Sequence, residues 1–103
     1  MAPMESSELE FAIQVYLGAD PSGGVYPIGM EERLRTEYGS RAEQILDQVR
    51  KALSILDEYK PDWSVDTLQS AARKVEEDLA RRLPTFSAFL HRAMANYWSY
   101  GWK

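Results

Sequence analysis

The chain has 103 residues, 45% of them hydrophobic and 12% aromatic, which is the size and composition of one domain built on a single core. With no cysteine it has no disulfide, thiol nucleophile, CxxC redox pair or thiolate zinc site, and a cytoplasmic setting fits best. The 12 basic and 16 acidic residues leave a net charge of −4; no apolar run nears the roughly 18 residues of a membrane span, and Met1 to Glu5 lack the basic and apolar regions of a secretory signal.

Residues 1–6 are expected to be disordered. The first helix is predicted over about Ser7 to Leu17, where Ser7 and Glu10 have capping-box spacing and Leu9, Ile13, Tyr16 and Leu17 follow helical periodicity. Phe11 and Val15 lie on its other side. Gly18 ends it, and residues 18–29 hold so many turn formers, with Pro21 and Pro27 among them, that a long flexible loop is expected. That loop has neither GxGxxG nor a Walker lysine, so phosphate cradling is disfavoured, yet it offers Tyr26 and Ile28 as contacts for a partner.

A short helix over about Met30 to Tyr38 stops at Gly39, with Glu31, Glu32, Arg33, Arg35 and Glu37 read as surface charge. Ser40 and Glu43 suggest a second capping box, opening a helix to about Tyr59 with Ile45, Val49, Ala52, Leu56 and Tyr59 on its inner face. After Pro61 and Asp62, the trio Trp63, Ser64 and Leu68 has the spacing of a hydrophobic staple. Leu68, Ala72, Val75, Leu79 and Leu83 then give the cleanest amphipathic stripe, with Glu76, Glu77 and Asp78 read as a solvated face. Pro84 closes that helix and Thr85 is expected to cap the last. Short connections make sequential helices antiparallel neighbours, so the expected fold is all-α: a compact bundle of four main helices plus one short helix.

The last helix, from about Phe86 toward Tyr100, is the most unusual segment. Phe86, Phe89, Leu90, Ala93, Tyr97 and Tyr100 form one stripe, and His91, Ala95, Trp98 and Trp102 form a second, rotated by roughly 120° at 100° per residue. One neighbour cannot cover both. The helix is therefore either central, or it presents Trp98, Trp102 and His91 as aromatic anchors for a partner. The second faces of the first and last helices either pack on each other or form a homodimer seam.

His91 is the single histidine, and HExxH and ExxH spacings are missing, so neither a metal nor another cofactor is expected. Residues 1–30 hold four acids and no Lys or Arg, whereas residues 84–103 hold Arg92 and Lys103 and no acid. This balance disfavours nonspecific nucleic-acid binding and suits a basic protein partner or self-association. The leading expectation is a non-enzymatic protein-interaction or regulatory module, an immunity- or antitoxin-like inhibitor being one form, with Trp98, Trp102, His91, Tyr26 and Ile28 as partner-binding residues. One alternative is a helix-turn-helix nucleic-acid binder reading through the last helix, although only Arg92 and Asn96 there suit base contacts. Another is an enzyme whose carboxylates converge from separate helices.

Overall fold

The computed structural model describes residues 5–101, and these form an all-α bundle 46 × 26 × 24 Å across. Helix α1 (Ser6–Leu17) leads through the 18–29 loop to α2 (Met30–Tyr38), and a 3-10 turn (Gly39–Arg41) opens α3 (Ala42–Leu53). A second 3-10 turn (Ser54–Glu58) and a loop precede α4 (Leu68–Arg82), which a tight turn joins to α5 (Ala88–Tyr100). Of the disorder expected over residues 1–6, residues 1–4 lie outside the described residues, while Glu5 and Ser6 open α1.

Four of the expected helix openings are differently made. Glu5, not Ser7, is the N-cap of α1, and Glu10 reaches instead across the bundle, where its carboxylate accepts the Ser87 backbone N–H at 2.7 Å. An acid at the start of α5 suits the positive end of that helix. Ser40 cannot cap α3 because it sits inside the 3-10 turn, whereas a capping side chain needs extended backbone to reach the N3 amide. The staple at Trp63 is absent: α4 begins at Leu68, and Thr67 and Ser70 exchange reciprocal bonds as a capping box. Ser87, not Thr85, caps α5 by accepting the Leu90 N–H at 3.2 Å.

Helix directions follow from residues that meet. Arg41 at the start of α3 pairs with Glu8 at the start of α1, so these two run parallel with α2 folded back between them. The α4–α5 hairpin is antiparallel, as His91 Nε2 at 2.7 Å from the Leu83 carbonyl and the Glu76–Arg92 pair require. Helix α5 runs alongside α1, since Ser87 meets Glu10 and Asn96 meets Gly23 just beyond α1. The ends of α1, α3 and α5 and the starts of α2 and α4 therefore share one pole of the bundle. Both long loops lie there.

The core contains Ile13, Leu17, Leu34, Val49, Leu79, Leu90 and Met94, each fully enclosed. Ala93, Met94 and Ala95 are buried in succession, about 200° of the wheel, so α5 is covered on both apolar sides and presents outward only the stripe of Ala88, Arg92, Asn96 and Ser99. This resolves the two-stripe problem. Helices α1 and α4 both pack along α5, the end of α4 taking His91 and the segment around Tyr59 taking Trp98.

The least expected element is Arg33, which sequence reasoning assigns to surface charge. Its guanidinium donates to the carbonyls of Val15 (2.9 Å) and Tyr16 (2.9 Å) in the last turn of α1, and to those of Tyr26 (2.6 Å) and Ile28 (2.7 Å) in the loop. One cation thus completes the end of a helix and fastens the following loop. Replacing Arg33 with Ala is expected to lower unfolding free energy by about 3 kcal/mol, because it strands part-buried carbonyls. Arg33→Lys should recover less than half of that loss, since an ammonium has no planar fork to span four acceptors. Urea denaturation of the three proteins checks both values; equal stability would show the clamp to be energetically idle.

Candidate functional site

The shared pole is built first from its two loops, each organised by an Asp-x-Ser turn. Asp20 Oδ1 accepts from the Ser22 N–H (2.9 Å), the Ser22 hydroxyl (2.5 Å) and the Gly24 N–H (3.0 Å). In the second loop Asp62 Oδ1 accepts from the Ser64 N–H (3.1 Å) and hydroxyl (2.6 Å), while Asp66 accepts from Lys74 at 2.6 Å. These bonds favour the charged carboxylate, so the pKa of Asp20 and of Asp62 is held below the ordinary aspartate value, the serine hydroxyl bond being the largest cause in each.

The first loop is also pinned to α5 and is not the flexible turn expected. Asn96 donates to the Gly23 carbonyl at 2.7 Å, and Gly23, at φ 88°, lies so close to the Arg92 stem that an added Cβ would approach it to 2.8 Å. Beyond it the Ile28 N–H donates to the Tyr26 carbonyl at 2.9 Å, an i to i+2 bond of the γ-turn kind with Pro27 at its centre. Arg33 holds both ends of this turn and stands 6.0 Å from the Tyr26 ring centroid. Tyr26 and Ile28 consequently project outward from a fixed backbone, 60% and 64% exposed.

Beside this turn lies a cleft of about 660 Å³. Pro27 and Met30 form one side, Leu53, Leu56 and Tyr59 another, and Tyr16, Tyr97 and Tyr100 the remainder. Charged groups reach it at Arg50, Asp57 and Lys60. Arg50 is paired with Glu31, whereas Asp57 and Lys60 have no ion-pair partner among the described residues. Burial raises the pKa of the Tyr97 hydroxyl, with Tyr16 and Asp57 adding to the effect, so Tyr97 is a proton-bearing donor at neutral pH.

The five expected contact residues divide sharply. Tyr26 and Ile28 are exposed on either side of Pro27, which lines the cleft. His91 and Trp98 are corrections: they are 5% and 6% exposed, enclosed by α4 and the Tyr59 segment, and act inside the fold. Since a carbonyl only accepts, His91 carries its proton on Nε2 to meet Leu83, and the Trp98 indole donates to the Tyr59 carbonyl at 3.2 Å. Trp102 lies outside the described residues. Of the proposed seam, Phe11 is 48% exposed while Trp98 is covered within the chain. Tyr100, read as inward-facing, is 44% exposed at the cleft because α5 ends there.

Nor is the Glu76 to Asp78 run simply solvated. Asp78 accepts from the Tyr59 hydroxyl and pairs with Arg81 at 2.6 Å, Glu76 pairs with Arg92 at 3.7 Å, and Glu77 is exposed. Tyr59, Asp78 and Arg82 thereby tie the second loop to α4 behind the cleft. Sequence periodicity misses Tyr16, Tyr97 and Tyr100 as a group because it assigns each to its own helix's core stripe. Among the described residues no three His, Asp or Glu side chains gather closely enough to hold a metal ion.

The two aspartate turns make the site's acid response predictable. A folded pKa below the unfolded one contributes stability that is present above the unfolded value and lost as pH falls through the folded value. The Ser22 and Ser64 amide proton shifts should therefore titrate with midpoints below that of an unstructured aspartate, about 3.9; midpoints at that value would show that the turns do not hold charged carboxylates. No protein-family model, curated protein or solved structure matches this chain.

Proposed function

We propose that this protein is an interaction module that engages a protein partner through the loop pole, with Tyr26, Ile28 and Tyr100 as anchors around the cleft. The observation that carries this reading is the concentration of exposed apolar side chains. Of the six large apolar side chains exposed among the described residues, five, Tyr26, Ile28, Trp63, Val65 and Tyr100, belong to the two loops and the end of α5; the sixth, Phe11, lies in α1. Exposed apolar residues scattered singly are ordinary, but a cluster on one end is a docking signature. Here the backbone beneath is already fixed by Arg33 and Asp20, so little ordering entropy is lost when a partner arrives.

The α4–α5 hairpin does not favour the nucleic-acid reading, because the outward stripe of α5 offers only Arg92 and Asn96 as base-reading groups, the first paired with Glu76 and the second bonded to the Gly23 carbonyl. The net charge of −4 is also unsuited to phosphate. A protein surface or peptide, by contrast, matches an apolar cleft with a few polar groups at its edge.

A photo-crosslinking side chain at Ile28 should give a discrete adduct with a partner in the source cell. The same group at Glu43, exposed at the far end of α3, should not. Excess unmodified protein should suppress the adduct, and the Tyr26→Ala, Tyr100→Ala double variant should compete roughly 100-fold less well, as loss of two anchors at about 1.4 kcal/mol each implies. Equal adducts at both positions, or full competition by the double variant, would remove the pole as the binding surface.

A further inference from the structure

Resting on the reading of the pole as a protein-binding surface, we propose that the cleft receives a proline-rich segment in the polyproline II conformation, carrying a cationic residue beside Asp57. The argument starts from unused hydrogen-bonding capacity. The hydroxyls of Tyr16 and Tyr97 make no hydrogen bond among the described residues, and neither is sealed in the core, in contrast with the Tyr38 hydroxyl. With the Lys60 ammonium, the cleft therefore offers three donors to an occupant. Its unpaired acceptor of full charge is Asp57. The matching occupant is rich in acceptors, poor in donors, and brings a cation.

The recurring modes of peptide recognition differ on this point. Strand addition needs a sheet edge, and the described residues contain no strand. An amphipathic helix satisfies its own carbonyls and brings few acceptors to phenolic donors. A polyproline II segment has no internal hydrogen bonds, so its carbonyls stand outward, and proline adds an acceptor without a backbone donor. Its pyrrolidine rings pack on aromatic faces, which Tyr59, Tyr97 and Tyr100 supply with Pro27 between the loop and α2. Charge places the cation at one spot: Arg50 is neutralised by Glu31, and Asp57, unpaired like Lys60, is the one carboxylate lining the cleft, on a molecule that is acidic as a whole.

The test is a titration of isotope-labelled full-length protein with a short synthetic proline-rich peptide containing one arginine, followed by amide chemical shifts. Two reference peptides replace the prolines with alanine or the arginine with glutamate. Saturable shifts at Asp57, Lys60, Tyr97 and Tyr100 are expected, with each reference peptide binding at least roughly tenfold more weakly. Tyr97→Phe and Tyr16→Phe should each weaken binding about fivefold, the value of one lost hydrogen bond. Asp57→Asn, an exposed substitution independent of the core, should abolish the preference for arginine over glutamate.

Absence of saturable shifts, equal binding of the alanine peptide, or an arginine preference that survives Asp57→Asn would overturn the proposal. If the peptides fail while the Ile28 crosslink remains specific, the pole still binds a protein and only the identity of its occupant falls. If both fail, the surface assignment falls as well.

Discussion

The bundle's working end depends on one guanidinium. The last carbonyls of a helix have no partner within that helix, and a loop of twelve residues has few ways to fold without satisfying its own backbone. Arg33 meets both requirements, bonding Val15 and Tyr16 in α1 and Tyr26 and Ile28 in the loop. Its position in the first turn of α2 is what gives it this reach: the antiparallel return from α1 brings that turn beside the helix end it completes. A lysine there would neutralise charge but could not fix four carbonyls in one plane.

From that clamp the geometry of the pole follows. With Tyr26 and Ile28 held at their carbonyls, their side chains have nowhere to turn but outward, and Pro27 faces the cleft. Asn96 and Arg92 meanwhile press the other half of the loop against α5, which fixes the distance between Tyr26 and the tyrosines at the helix end. The second loop is fastened independently by Asp62, Asp66 and the Tyr59–Asp78 bond. Two irregular segments therefore behave as extensions of the helices beneath them, which is how loops come to carry recognition with defined geometry.

The sequence made the helices legible to different degrees. The short helix expected over about Met30 to Tyr38 is found there, stopped by Gly39 as its glycine signals, and both flanking glycines, Gly29 and Gly39, adopt positive φ. The two-sided apolarity of α5 is also visible, and it means burial on both of those sides, with solvent left to the stripe through Ala88 and Arg92. What sequence reading could not supply is partnership at long range. Ser7 and Glu10 have a cap's spacing, yet Glu10 bonds Ser87, 77 residues away. Trp98 has the composition of an anchor, yet the Tyr59 carbonyl waits for its indole. Of the candidate site, Tyr26 and Ile28 could be read from turn chemistry, whereas Tyr16, Tyr97 and Tyr100 become one wall only through the parallel packing of α1 and α5.

That packing also explains why the cleft is chemically one-sided. Aromatic residues near a helix end are half inside and half outside, so their rings stabilise the core while their hydroxyls reach past it. At Tyr59 the hydroxyl is used internally, by Asp78 and Arg82. The hydroxyls of Tyr16 and Tyr97, by contrast, make no hydrogen bond among the described residues. Burial raises the Tyr97 pKa above the ordinary tyrosine value, and Leu53, Leu56 and Met30 line the cleft with it. A cleft so furnished discriminates by what its occupant lacks: backbone donors would find few partners in it, whereas exposed carbonyls would find several.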